Sequence, residues 1–175
     1  MPEAVLTSAL RTPIGTAFKG TLRDTTAFDL ARHVVTATAE GLKEDLIDDV
    51  ILGEGLYGGG VVARHAAITA GLPSVAGLAH NRHCAAGLAA VQGAAASVRA
   101  GMDELIIAGG VNSASTAPRS RLRVDGEWVD WFPPTQPRPA GRPQHGHVDH
   151  RGLERGRGGR REPRGDGRLG AALAP

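Results

Sequence analysis

The chain is poor in aromatics, in cysteine and in long apolar stretches. Aromatic residues make up 3% of its 175 positions, cysteine occurs once, and no apolar run approaches the roughly 20 residues a membrane helix needs. A single thiol, Cys84, excludes an intrachain disulfide and an all-cysteine zinc site. The start, Met1-Pro2-Glu3-Ala4, has neither the basic n-region nor the apolar h-region of a secretion signal. These absences point to a cytoplasmic protein with no membrane association.

What is present is unevenly spread. Up to Pro137 there are 11 basic and 14 acidic residues, and after it 9 basic and 4 acidic, so a net −3 front carries a net +5 tail. The tail holds nine Arg and nine Gly, with Val148, Leu153, Leu169 and Leu173 as its only large apolar side chains. Such a segment has too little to bury to offset the entropy of ordering it, and residues 138–175 are expected to be disordered.

Residues 1–118 alternate short β-branched runs with stretches of helical spacing, the pattern of an α/β chain with a mainly parallel sheet. Strands are predicted near 4–9, 49–54, 75–80 and 103–109. A helix over about 26–42 has Thr25 or Thr26 as N-cap and an apolar face built from Phe28, Leu30, Ala31, Val34, Val35, Ala39 and Leu42. A second, over about 60–70, stops at Gly71-Leu72-Pro73. The third differs. From Cys84 to Val98 only Gln92 and Ser97 are polar, and a helix with no polar face is expected between two layers. Residues 119–137 read as a loop-rich excursion, in which Trp128 and Trp131 serve equally well as groove lining or as loop anchors.

Cys84 falls between an extended segment and the start of that third helix, where backbone N–H groups and the helix dipole favour a thiolate. A thiolate so placed is a candidate nucleophile for acyl transfer; equally, a lone cysteine often only packs. His83 beside it is better placed for packing than as a base, because adjacent residues at a helix start point in different directions. The run Gly53-Glu54-Gly55-Leu56-Tyr57-Gly58-Gly59-Gly60 has no following Gly-Lys-Ser/Thr and is read as a turn rather than a phosphate loop.

The segment Asn81-Arg82-His83-Cys84-Ala85-Ala86-Gly87-Leu88 resembles the nucleophile motif of the thiolases, with Asn three before the cysteine and Gly three after. Four further segments fall in the order of that family: Arg11-Thr12-Pro13-Ile14-Gly15, Val50-Ile51-Leu52-Gly53, Ala63-Arg64-His65-Ala66-Ala67 with Ala70-Gly71-Leu72-Pro73, and Ile107-Ala108-Gly109-Gly110-Val111-Asn112-Ser113. Ala86 stands where thiolases commonly have Ser. The resemblance spans about 4–137. It implies the N-terminal half of a thiolase: a mixed sheet with helices on both faces, a buried helix bearing the cysteine, and the start of a loop domain at 119–137. It also implies acyl-CoA C-acyl transfer through Cys84, an acyl-CoA substrate, no cofactor or metal, and a homo-oligomer, dimer or tetramer, in the full-length form. The second cysteine and the two His motifs of the family have no counterpart here, so this chain is expected to be inactive alone. Its uncovered apolar layer is expected to make it poorly soluble.

The tail has three readings. His145, His147 and His150 suggest a metal site, and the Arg/Gly run an RNA-binding segment. The third is a change of reading frame. With permitted codons, the nucleotides for residues 160–175, read one base later, give GVSREEMDAWALRSH, which resembles the continuation of a thiolase loop domain. The favoured expectation is therefore a thiolase truncated and rewritten by a one-base frameshift near residues 136–139, with no nucleic-acid partner.

Overall fold

A computed structural model describes residues 3–57 and 61–131. It divides into two units, ending and starting at Arg119 and Ser120. The first contains helix α1 (Ala27–Thr38), a short 3-10 turn (Glu44–Leu46), strand β1 (Asp49–Glu54), helix α2 (Val62–Thr69), strand β2 (Ala76–His80), helix α3 (Ala86–Ala100) and strand β3 (Ile106–Val111).

The three strands form one parallel sheet in the order β2-β1-β3. Asp49 of β1 pairs with Ala76 on one side and with Ile106 on the other. Parallel neighbours require crossovers, and α2 and α3 supply them. Alternation along β1 divides the work: Val50 and Leu52 pack with α1 and α2, whereas Ile51 packs with Ala90 and Ala94 of α3. The chain thus steps to one side of β1 over one face and to the other side over the opposite face, as right-handed crossovers demand.

Each helix follows its own apolar spacing. In α1, Ala27, Ala31 and Val35 are buried at intervals of four, and the Thr26 side chain caps the start by accepting from the Asp29 N–H at 3.1 Å. In α2 the buried residues are Val62, Ala63, Ala66 and Ala67. Gly71 and Gly101 take left-handed φ values of 88° and 71° just beyond α2 and α3, closing both as their sequence suggests.

Four expectations need correction. Residues 4–9 form no strand; Val5 and Leu6 are 74% and 82% exposed, and no neighbouring strand among the described residues pairs with the segment. The first helix ends at Thr38 rather than 42, because the chain turns at Gly41 with φ 79°. Strand β3 begins at Ile106 rather than 103 and does not end at Gly109 but runs on through Gly110 to Val111. The third helix is not sandwiched: Ala86, Ala89, Ala90 and Ala94 are buried against the sheet, while Leu88 on the other side is 74% exposed.

Beyond Arg119 the loop-rich expectation also gives way. Ser120–Val124 (β4) and Glu127–Trp131 (β5) form an antiparallel hairpin, closed by Asp125 and Gly126 at φ 49° and 91°. Positive φ at both central residues is the turn that Asp-Gly favours. Trp128 and Trp131 lie three apart on β5, so they face opposite sides of the ribbon and line no common groove within it. Gly58, Gly59 and Gly60 and the whole of 138–175, including His145, His147 and His150, lie outside the described residues.

Candidate active site

The C-terminal ends of β1, β2 and β3 point the same way, and the connection from β2 to α3 crosses this edge. In sheets of this kind the crevice beside the point where successive strands move to opposite sides is the usual ligand site. Here that point is β1, flanked by β2 and β3.

Cys84 lies on this connection. After His80 ends β2, the His83 N–H donates to Asn81 Oδ1 at 3.0 Å, and His83 adopts φ 48°. The Ala85 and Ala86 N–H groups then donate to the Arg82 and His83 carbonyls at 3.1 and 3.0 Å. This tight turn uses the residues that the sequence assigned to the first helical turn. Helix α3 therefore begins at Ala86, and Cys84 stands just before its N-cap, Ala85, with its side chain exposed. The asparagine three before the cysteine thus shapes the turn.

What holds the turn down is a set of glycines. A Cβ on Gly53 would lie 2.3 Å from the Ala86 carbonyl carbon and 2.4 Å from the Gly87 nitrogen, so the first turn of α3 rests directly on the end of β1. A Cβ on Gly110 would come 2.9 Å from the Gly87 Cα, so the same turn also rests on β3. The missing side chains let two backbones meet, which no other residue allows. Residue patterns placed Cys84 at a helix start but missed this seat; glycines inside otherwise apolar strands were the available sign.

Glu54, also missed, is 4% exposed at the end of β1. Its Oε2 accepts from the Val62 N–H at 2.8 Å, capping α2, whose N-cap Val61 offers no side-chain bond. On the same edge the buried Tyr57 hydroxyl donates to the Ser113 carbonyl at 3.0 Å, and the Ser113 hydroxyl donates to the Thr25 carbonyl at 3.1 Å. His80 packs against α3 at Gly93, where a Cβ would sit 3.3 Å from Nε2.

The carboxyls with displaced acidity lie away from Cys84. Asp48, Asp49 and Glu44 stand at or before the start of β1, the opposite end of the sheet. Hydrogen bonds from the Leu105 and Glu104 N–H groups hold Asp48 low, and bonds from Ser74 hold Glu44 low. Burial pushes Asp49 up. Asp29 is lowered by the Thr26 hydroxyl at the start of α1. An open depression of about 590 Å³, lined by His33, Glu40 and Leu72 among others, is also remote from Cys84. Among the described residues no group of three or more His, Cys, Asp or Glu is placed to hold a metal ion, and no helix is long and apolar enough to cross a membrane.

A parallel α/β half with a cysteine turn seated on strand ends defines a class, and comparison with known proteins identifies it. Residues 4–127 match the family model "Thiolase, N-terminal domain". The chain belongs to the thiolase family and corresponds to its N-terminal part. It is 40% identical over 123 residues to an acetyl-CoA acetyltransferase of Escherichia coli K12, a match covering 67% of this chain and 31% of that protein. It is 44% identical over 126 residues to the 3-oxoadipyl-CoA/3-oxo-5,6-dehydrosuberyl-CoA thiolase of the same strain, with the same coverage, 67% and 31%. The crystal structure of the Bacillus anthracis acetyl-CoA acetyltransferase is similar with a TM-score of 0.64 and 35% identity, over 73% of this chain and 35% of that one. The chain thus spans about a third of the length of these relatives, which are named as enzymes.

Proposed function

We propose that Cys84 is the acyl-accepting nucleophile of a thiolase-type acyl-CoA C-acyltransferase. The observation that carries this is an exposed cysteine in the Asn81–Gly87 turn, fixed on the ends of β1 and β3 where a parallel sheet offers its ligand crevice. In the step assigned to this chain, the Cys84 thiolate adds to the thioester carbonyl of an acyl-CoA. The tetrahedral adduct then expels the coenzyme A thiolate and leaves an acyl-cysteine. Thiolysis of a 3-oxoacyl-CoA and condensation of two acyl-CoAs both pass through that intermediate. In condensation its onward reaction needs a base for the α-carbon of the second acyl-CoA, a role for which the family uses a second cysteine, and Cys84 is the only cysteine here. The chain is therefore assigned the first half-reaction, with an acyl-CoA as substrate, no added cofactor or metal, and turnover only within the full-length oligomer of the family, a dimer or tetramer in the cytoplasm.

The test is incubation of the chain with acetyl-CoA, followed by intact-protein mass measurement and peptide mapping. One acetyl group on Cys84, absent in Cys84→Ala, is the expected result. No acetylation of the wild-type chain, or acetylation that survives Cys84→Ala, overturns the assignment. The Arg/Gly tail is assigned to a frameshift near residues 136–139, and sequencing the source DNA across codons 130–145 tests it. A sound frame with no thiolase sequence in the alternative frame overturns it.

A non-catalytic half-domain that pairs with another thiolase chain has one observation in its favour, the open side of α3 with Leu88 74% exposed. Co-purification with a full-length homologue, without acetylation of Cys84, would select it.

A further inference from the structure

Glu54 is a buried carboxylate on a strand whose neighbours in sequence are both glycine, and the two sides of that strand do different things. Gly53 and Gly55 face the nucleophile turn: Gly53 underlies Ala86 and Gly87, and a Cβ on Gly55 would lie 3.9 Å from the His83 carbonyl oxygen. Glu54, one position out of phase, faces the other side and accepts from the Val62 N–H at 2.8 Å. The strand end is thus gripped from beneath by α2 and carries the Cys84 turn above. The α2 start has no other side-chain cap, and its N-cap Val61 is held at φ 42°, ψ 63°, a conformation costly for a β-branched residue. A buried carboxylate bonded to a helix N-terminus is favourably placed to hold that geometry.

We infer that Glu54 is a positioning residue for Cys84: by tying the end of β1 to the start of α2, it fixes the strand on which the cysteine turn rests. It touches neither the thiol nor a substrate, and its effect passes through the Gly53-Glu54-Gly55 backbone. The inference rests on the assignment of Cys84 as nucleophile, so its test carries a readout that does not need acyl transfer.

The test measures two rates on the full chain, acetylation of Cys84 by acetyl-CoA and its alkylation by iodoacetamide, with circular dichroism as the check on folding. Glu54→Leu keeps the volume and removes the acceptor. Glu54→Gln keeps a neutral acceptor of the same length. In Glu54→Leu acetylation falls by about tenfold or more with helix content retained, since small displacements of a reacting group are costly, and Glu54→Gln recovers it to within about threefold of wild type. Equal acetylation in Glu54→Leu and wild type overturns the inference, and so does a loss that Glu54→Gln does not recover. If Glu54→Leu loses its helix signal, Glu54→Asp, which retracts the carboxylate by one methylene, is read instead, and a rate equal to wild type is again fatal. If the wild-type chain is not acetylated at all, the nucleophile assignment fails by itself. The alkylation rates then decide Glu54: a change in Glu54→Leu reversed in Glu54→Gln supports it, and identical rates refute it.

Discussion

The two faces of the parallel sheet are filled to very different depths. On the side of Val50 and Leu52, α1 and α2 close over fourteen buried residues, among them Val35, Tyr57, Val62 and Ile107. On the side of Ile51, α3 closes over a small cluster, Ile51, Ala90 and Ala94, with Ala86 and Ala89 of α3 buried besides. The thick face has large side chains and two helices, and the thin face has alanines and one helix brought close by glycine. Close approach lets α3 place Cys84 accurately but leaves little volume to bury, since alanine removes far less apolar area from water than valine or leucine. Stability therefore resides mainly on one face and the candidate chemistry on the other.

The sharpest way to break this comparison is to truncate neighbours on one strand. Leu52 and Ile51 are 6% and 5% exposed and point to opposite faces. Leu52→Ala should cost about 4 kcal/mol and Ile51→Ala about 2 kcal/mol in chemical denaturation, because a thin, partly open layer relaxes around the space more readily than a thick one. Equal losses would show that α3 buries its side as firmly as α1 and α2 bury theirs. A smaller effect is expected on the thick face at Thr26, where Thr26→Ala removes the α1 cap and should cost about 1 kcal/mol. Acetylation of Cys84, on the other face, should be unchanged in that variant.

The smallest effect belongs to the edge where the faces meet before the strands begin. Asp48 accepts from the Glu104 and Leu105 N–H groups at 2.7 and 3.0 Å, and its carboxyl is held below the ordinary range. A carboxyl lowered on folding adds stability above its unfolded pKa, about 3.9, which is lost as the pH falls through its folded pKa. Wild type should therefore exceed Asp48→Asn in stability near neutral pH, and the difference should vanish in acid. Asp49 beside it acts in the opposite sense: burial raises it, so its contribution is present in acid and lost as the pH rises. Urea titrations of both proteins across the acid range separate the two, since Asp49 is common to them.

The local half of this molecule was legible and the long-range half was not. The β-branched run from Asp49 to Glu54 and the threonine cap before Ala27 stand where the residues put them. Five ordered segments around Cys84 resemble a thiolase, and the family match bears out that resemblance. The misses have physical causes. Gly109-Gly110 looked like a strand end, because glycine's usual work is turning a chain; here its lack of a side chain admits the Gly87 backbone. Asp125-Gly126 announced a hairpin and was passed over beneath the charged and proline-rich composition around it. The glycine seat and the Glu54 cap join residues that only folding brings together; glycines inside apolar strands hint at the seat, but nothing local shows which backbones they admit.

The order of strands also dictates an order of events in time. Among the described residues β1 is the first strand made and the middle one of the parallel sheet, and its second neighbour begins only at Ile106. Pairing that bridges such a separation closes slowly. While the chain is being synthesised, β1 keeps one unpaired edge until β3 has emerged, a template for mispairing with other nascent chains. The seat for Cys84 spans both strands, so it cannot form until β3 has paired with β1.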